Sequence, residues 1–172
     1  CISYKATPVG NAYGATVADP RTGEILSSHI GISSSVRDLL QRLYFCQAGA
    51  VDSRAADLLL PDTLMGELVC YVVSHEVGHT LGLRHNFRGS SVFGTRQLRD
   101  AGFVRSHGHG TSIMDYMRFN SAAQPEDGID PGDLIPRIGP YDRFAVTWGY
   151  RFLPGTNPAA ERDSLRRWVD TR

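Results

Sequence analysis

His75-Glu76-Val77-Gly78-His79 places two imidazoles four residues apart, with a carboxylate directly after the first. On a helix, residues four apart stand one turn above each other on the same face. Both rings can then reach one ion, at Zn–N distances of about 2.0–2.1 Å. Glu76 lies about 100° further around the helix than His75. It does not share the histidines' ligand direction, but it reaches a water held by the metal. The spacing therefore separates two ligands from one base. The motif continues as Thr80-Leu81-Gly82-Leu83-Arg84-His85. A third ligand on an unbroken helix would point away from the ion. Gly82 takes a left-handed conformation at little cost, so the chain can turn there and bring His85 back. Three neutral imidazoles leave a fourth position open, which marks a catalytic rather than a structural zinc site.

Those two ligands need a long helix. Pro61-Asp62 punctuates the chain, and an apolar-rich helical pattern runs over residues 63–81 with Gly82 as its stop. Upstream, Val36, Leu39, Leu40, Leu43 and Tyr44 recur at helical spacing. Ser35 with Asp38 reads as a capping box for that helix, and Gly49 as its end. Residues 53–60 read as a short helix. Residues 1–34 are β-rich: Cys1-Ile2-Ser3-Tyr4 starts as a strand, and residues 12–18 are small and β-prone. The turn signal Asp19-Pro20-Arg21-Thr22-Gly23 then leads into a second run over residues 24–32, so two neighbouring strands with a tight connection are expected.

Downstream, residues 86–112 are rich in Gly, Ser, Arg and His and read mainly as loop, with a short helix over 95–101. Residues 120–140 read as an irregular wrap, and residues 141–148 as a short helix closed by Gly149. Asn157-Pro158 is a helix start. The amphipathic helix after it turns Arg162, Arg166 and Arg167 outward and Leu165, Trp168 and Val169 inward.

A length of 172 residues suits one domain around one core. With 41% apolar and 21% charged residues, the chain is neither disordered nor fibrous. Basic and acidic residues balance at 18 each, so no overall field points to nucleic acid or to an acidic membrane. No apolar run approaches the length of a membrane span. Cys1, Cys46 and Cys70 allow one pair and make no disulfide framework. Cys70 reads as a small buried side chain of the long helix.

The full H-E-x-x-H-x-x-G-x-x-H string, followed by Ser112-Ile113-Met114-Asp115-Tyr116, resembles the signature of the metzincin endopeptidases, a zinc motif with a later Met-turn. The resemblance implies Met114 as an apolar support beneath His75, His79 and His85. It also implies that Tyr116 approaches the metal and stabilises an oxyanion, as in astacins and serralysins; the other reading of Tyr116 is a structural residue of the pocket wall. Asp19-Pro20-Arg21-Thr22-Gly23-Glu24-Ile25-Leu26, His85-Asn86-Phe87, residues 112–120 and Ile138-Gly139-Pro140-Tyr141-Asp142 are similar to the Met-zincin domain of large bacterial zinc metalloproteases. Asn86 differs from the residue at that place in the best-known metzincin families.

By this resemblance the fold is α+β: a twisted mixed sheet, a long zinc-binding helix, a Met-turn and a C-terminal helix. The expectation is a single catalytic domain over residues 1–172, with an upper part (1–82), a lower part (83–150) and a tail helix (151–172). Metzincins carry a helix and strands before the edge strand. Little precedes residues 12–18 here, so a domain lacking its first part is expected. The implied function is a zinc-dependent endopeptidase that hydrolyses peptide bonds through a metal-activated water, with one Zn2+ and Glu76 as general base. Tyr13, Gly14, Ala15, Thr16 and Val17 would form the edge strand that pairs with an extended peptide. The implied setting is an exported bacterial protein, periplasmic, cell-surface or extracellular, within a longer parent chain. Neither nucleic-acid binding nor membrane insertion is expected. The main rival is a catalytically silent zinc-binding module with an incomplete cleft. A second is a metal-dependent amide hydrolase acting on small molecules or chain ends. His107-Gly108-His109 reads as an exposed loop pair rather than a second metal site, and His29 as structural.

Overall fold

The β-prone start of the chain forms a mixed three-stranded sheet. The computed structural model describes residues 1–57, 59–155 and 157–171. Strands β1 (Ile2–Lys5), β2 (Ala12–Ala18) and β3 (Ile25–Ser33) lie in the order β1-β3-β2. β2 runs antiparallel to β3, with Gly14 opposite Ile30. The expected tight connection joins them: the Asp19 carboxylate accepts the Arg21 amide at 2.8 Å, and the Gly23 amide donates to the Asp19 carbonyl at 2.8 Å. β1 runs parallel on the other side of β3, with Ile2 opposite Ile30. β2 is therefore an edge strand.

Helix α1 (Val36–Ala48) buries Val36, Leu40, Tyr44 and Ala48, one residue per turn along a single stripe. The expected capping box at its start does not form. Ser35 has a helical backbone, and its hydroxyl donates to the Thr7 carbonyl at 2.8 Å, so it ties the β1–β2 connection to the helix. Helix α2 (Asp62–Thr80) buries Leu64, Leu68, Tyr71, Val72 and His75 along the face that meets the sheet and α1. The buried Phe119 wedges between the two helices, edge-on to Tyr44 with ring centres 4.8 Å apart and to Tyr71 at 6.0 Å. A fully buried aromatic of this kind contributes about 2–3 kcal/mol of burial free energy. Cys70, expected inside, is exposed on the opposite face of α2, and all three cysteines are free thiols. The apolar run around Cys70 coats α2 on every side, so composition alone did not tell the core face from the outer one.

Asp52 bolts the two helices together from a turn. It is fully buried and accepts the Tyr44 hydroxyl at 2.6 Å and the Arg54 amide at 2.9 Å. The Arg54 guanidinium bonds Asp52 at 2.9 Å and reaches Glu67 of α2 at 3.2 Å. Burial pushes the Asp52 carboxyl up, but the bonds from Arg54 and Tyr44 together outweigh it and hold the group below its usual range. A folded-state value below the unfolded one, about 3.9, stabilises the fold at all pH above that value. The contribution is lost as the pH falls through the lowered folded value. Asp52→Asn is expected to cost about 2–3 kcal/mol at neutral pH, and melting curves of wild type and variant should converge in acid.

The rest of the chain wraps beneath α2. The short helix expected over residues 53–60 is a single 3-10 turn, Ser53–Ala55, with Leu58 outside the described residues. The stretch read mainly as loop holds two helices: α3 (Thr95–Leu98) falls within the short helix expected over 95–101, and α4 (Ala101–His107) was not expected. Asp100 starts α4 by accepting the Phe103 amide at 2.9 Å, a cap that the Gly- and His-rich composition obscured. Helix α5 (Pro140–Tyr150) runs through Gly149 instead of stopping there. Helix α6 (Pro158–Asp170) begins as expected, with the Asn157 side chain accepting the Ala160 amide at 2.9 Å. Leu165 and Trp168 are half-buried, but Val169, expected inward, is exposed.

Candidate active site

The end of α2 assembles the three imidazoles. The Gly82 amide donates to the His79 carbonyl at 2.9 Å and the Leu83 amide to the Gly78 carbonyl at 3.1 Å, with Gly82 left-handed at φ +83°. This is a Schellman stop. A side chain at position 82 would cost about 1–2 kcal/mol in that conformation. The turn returns His85, so that its Nε2 stands 3.1 Å from that of His79. It also turns the Leu83 carbonyl to accept His79 Nδ1–H at 2.9 Å. Ligand nitrogens of His75, His79 and His85 all lie within 4.8 Å of one another, the one such group among the described residues.

The fit to a cation can be tested on these bonds. His75 Nδ1–H donates to the Ile113 carbonyl at 2.7 Å. With both Nδ1 atoms of the helix pair spent on carbonyls, both Nε2 atoms present lone pairs to the same point. Lone pairs that converge in this way are stable only around a cation or a hydrogen-bond donor, and such a set is suited to a metal ion. Backbone carbonyls on the far ring nitrogens are also the usual way of orienting ligating histidines. Burial chiefly, opposed by the Ile113 bond, holds the His75 pKa below the ordinary histidine value, and burial does the same for His85. The neutral form that binds metal is therefore favoured.

A buried carboxylate supports His75 from behind. Asp142, in the first turn of α5, accepts the Ser112 hydroxyl at 2.6 Å, the Ile113 amide at 2.7 Å and the Gly139 amide at 2.8 Å. It thus fixes the Ile113 peptide whose carbonyl orients His75. Ser112 Oγ also accepts the Met114 amide at 3.1 Å, and the Asn86 amide donates to the Met114 carbonyl at 3.0 Å. Met114 is completely buried. Its sulfur packs on α2 where a Cβ at Gly78 would stand only 2.2 Å away, so nothing larger than glycine fits between the turns carrying His75 and His79.

Glu76 faces the other way, into a cavity of about 370 Å³ that the three histidines also line. It is 7% exposed, and its Oε2 has no hydrogen-bond partner. Burial raises its pKa above the ordinary glutamate value, against the opposing pull of His79 and of the Gly14 amide. Gly14 brings β2 so close to α2 that a Cβ there would stand 2.3 Å from the Glu76 carbonyl oxygen. Tyr116 lies over the triad, its ring centre 4.3 Å from that of His85 and 5.8 Å from that of His75. Of the five edge-strand residues singled out in the sequence, Tyr13 and Gly14 line the cavity, while Ala15, Thr16 and Val17 continue outside it along the exposed end of β2.

Other residues fall elsewhere. His29 bonds Cys1 Sγ and Ser3 Oγ, both at 2.9 Å, in a structural role on the sheet. His107 stacks on Phe103 at 4.4 Å, whereas His109, expected to be exposed, is buried and donates to the Arg118 carbonyl at 2.9 Å. The sequence did not single out Asp142 or Arg118 for the site, and it gave His109 the wrong environment. The string Gly139-Pro140-Tyr141-Asp142 carried a signal, since a carboxylate in the first turn after Gly-Pro marks a helix start. Nothing local marked the other two.

A helix-borne pair of imidazoles, a third returned by a glycine turn, and a mixed sheet with its edge strand over the helix define a zincin of the metzincin type. A model of the family described as Met-zincin matches residues 58–172, and the chain belongs to that family. The domain is therefore of the zinc-peptidase kind, and the family implies zinc as the ion for the His triad. No curated protein and no solved structure matches the chain. No helix among the described residues is long and apolar enough to cross a membrane.

Proposed function

We propose that this domain is a zinc-dependent endopeptidase, with His75, His79 and His85 holding one Zn2+ and Glu76 acting as general base. The observation that carries this reading is the buried, unpartnered Oε2 of Glu76 in the cavity that the imidazoles line. A buried carboxylate oxygen without a donor costs free energy, and a purely structural metal site has no use for it. When bound, zinc would supply a Lewis acid for the scissile carbonyl and a water of near-neutral pKa. Glu76 takes the proton from the attacking water and returns it to the leaving amine, a task favoured by its raised pKa. The Tyr116 hydroxyl donates to the oxyanion, and its place over His85 and His75 supports that role. Met114 serves as the Met-turn residue under the site. An extended peptide adds to the free edge of β2 at Tyr13 to Val17, which favours internal cuts in unfolded segments over attack on small amides. The protein is an exported bacterial one, and the domain works within a longer parent chain.

Elemental analysis and peptide cleavage test this together. The expected result is one zinc per chain, lost in His79→Ala, and internal peptide cuts that a chelator abolishes and zinc restores. One tightly held zinc with no cleavage of any unfolded substrate would make the domain a silent binding module and overturn the reading.

A further inference from the structure

Arg118 lines the same cavity as Glu76 and the histidines, and the hydrolysis above does not use it. It is half-buried, and no carboxylate among the described residues lies within ion-pairing distance of it. Its guanidinium sits over the Tyr116 ring, 5.0 Å from the centre, and beside the Tyr71 hydroxyl. Part of its donor capacity faces the Tyr71 hydroxyl, and none of it is taken by a carboxylate among the described residues.

The backbone carries an independent mark. Arg118 is the one non-glycine residue with positive φ among the described residues, at +56°. Left-handed arginine is unfavourable and persists only when its surroundings over-determine it. Here they do. Buried His109 holds the Arg118 carbonyl at 2.9 Å, the Phe119 amide donates to Gln47 at 3.1 Å, and the Phe119 ring is clamped by Tyr44 and Tyr71. The contacts that hold this strained residue leave its side chain in the cavity instead of on the outer surface.

One wall of the cavity is apolar, while Asn11, Tyr13, Tyr71 and Tyr116 add polar groups elsewhere on its lining. Val36, Leu39, Leu40 and Leu43 of α1 and Val72 of α2 line the cavity, and Glu76 is its one carboxylate among the described residues. Glu76 itself is committed to the reacting water. A divalent ion on the triad would leave the lining net positive. An aliphatic wall beside a lone guanidinium complements a side chain that has an apolar stem and a carboxylate end. We propose that Arg118 is a specificity-determining residue and that the cleft selects an acidic side chain, glutamate or aspartate, on a residue flanking the scissile bond. This rests on the peptidase reading of the site.

The test uses peptide sets identical except for Glu, Gln or Lys at each position flanking the cut, with products read by mass spectrometry. At one flanking position, Glu should be preferred over Gln by about tenfold or more, as charge-assisted bonds to arginine allow, and Lys should be disfavoured. Arg118→Asn, a residue that tolerates the left-handed backbone, should bring the Glu/Gln ratio to about one, while Arg118→Lys should retain part of it. Arg118→Gln replaces the Asn variant if that one fails to fold by circular dichroism. A wild type indifferent to Glu and Gln, or a preference that survives loss of the charge, overturns the proposal. The same peptides, fluorescently labelled, are titrated against zinc-loaded Glu76→Gln protein, in which chemistry is off. Should wild type cut nothing, the peptidase reading falls, and the Kd ratio decides on Arg118: tighter binding of the Glu peptide sustains the site, while equal or absent binding ends it.

Discussion

Glu76→Gln is expected to lower kcat/KM for peptide cleavage by about 10²–10⁴-fold, the usual contribution of a positioned general base, while zinc content stays at one per chain. The two effects separate because of where the carboxylate lies. Glu76 is not in the group of converging ligand nitrogens, which is His75, His79 and His85 alone. The amide of Gln keeps the shape of the side chain but cannot accept the water's proton. Stability gives a third readout. The wild-type carboxylate is buried with Oε2 unpartnered, so removing its charge should leave the metal-free melting temperature unchanged or raise it. Elemental analysis, cleavage kinetics and calorimetry on one preparation check all three. Full activity in this variant would remove Glu76 from the chemistry, and loss of zinc would recast it as a structural residue.

Asp142→Ala should act on the fold and on the metal together. Asp142 is 3% exposed and satisfies three donors, the Ser112 hydroxyl and the Ile113 and Gly139 amides. Its removal strands all three where water does not reach them, at about 1–3 kcal/mol for each that finds no new partner. A loss of about 3–5 kcal/mol in unfolding free energy is expected, measured by urea denaturation. The same change frees the Ile113 peptide, whose carbonyl orients His75 at 2.7 Å. Supporting residues of this kind affect metal affinity by about 10–100-fold, so zinc affinity in competition with a chromogenic chelator should fall by about tenfold or more. Zinc binding at wild-type strength in a destabilised variant would show that Asp142 holds the loop but not the ligand.

The zinc helix, its glycine stop and the returning third histidine were legible in the chain because their geometry is local. Four residues make one helical turn wherever the helix sits, and a left-handed glycine turns a chain whatever surrounds it. The β2–β3 connection and the Asn157 cap were readable for the same reason. The other side of the site is held by residues far apart in sequence. Asp142 reaches back to Ser112 and Ile113, and Ile113 reaches back to His75. No periodicity links those positions, so a pattern in the chain could give Met114 a place but not the carboxylate that anchors its loop. Cys70 was misassigned because α2 is apolar on nearly every side, and only the sheet and α1 packing on one of them made that face the core. Arg118 stayed unremarked, and His109 was read as exposed, for a related reason: a cation in a cleft and a histidine under a strained backbone have meaning only beside Phe119, Gln47 and the α1 wall. Helical spacing decided which groups can meet the ion. Long-range packing decided what orients them, which carboxylate is left unpartnered and which charges line the cavity, because hydrogen bonding and burial depend on neighbours that the chain brings together only when folded.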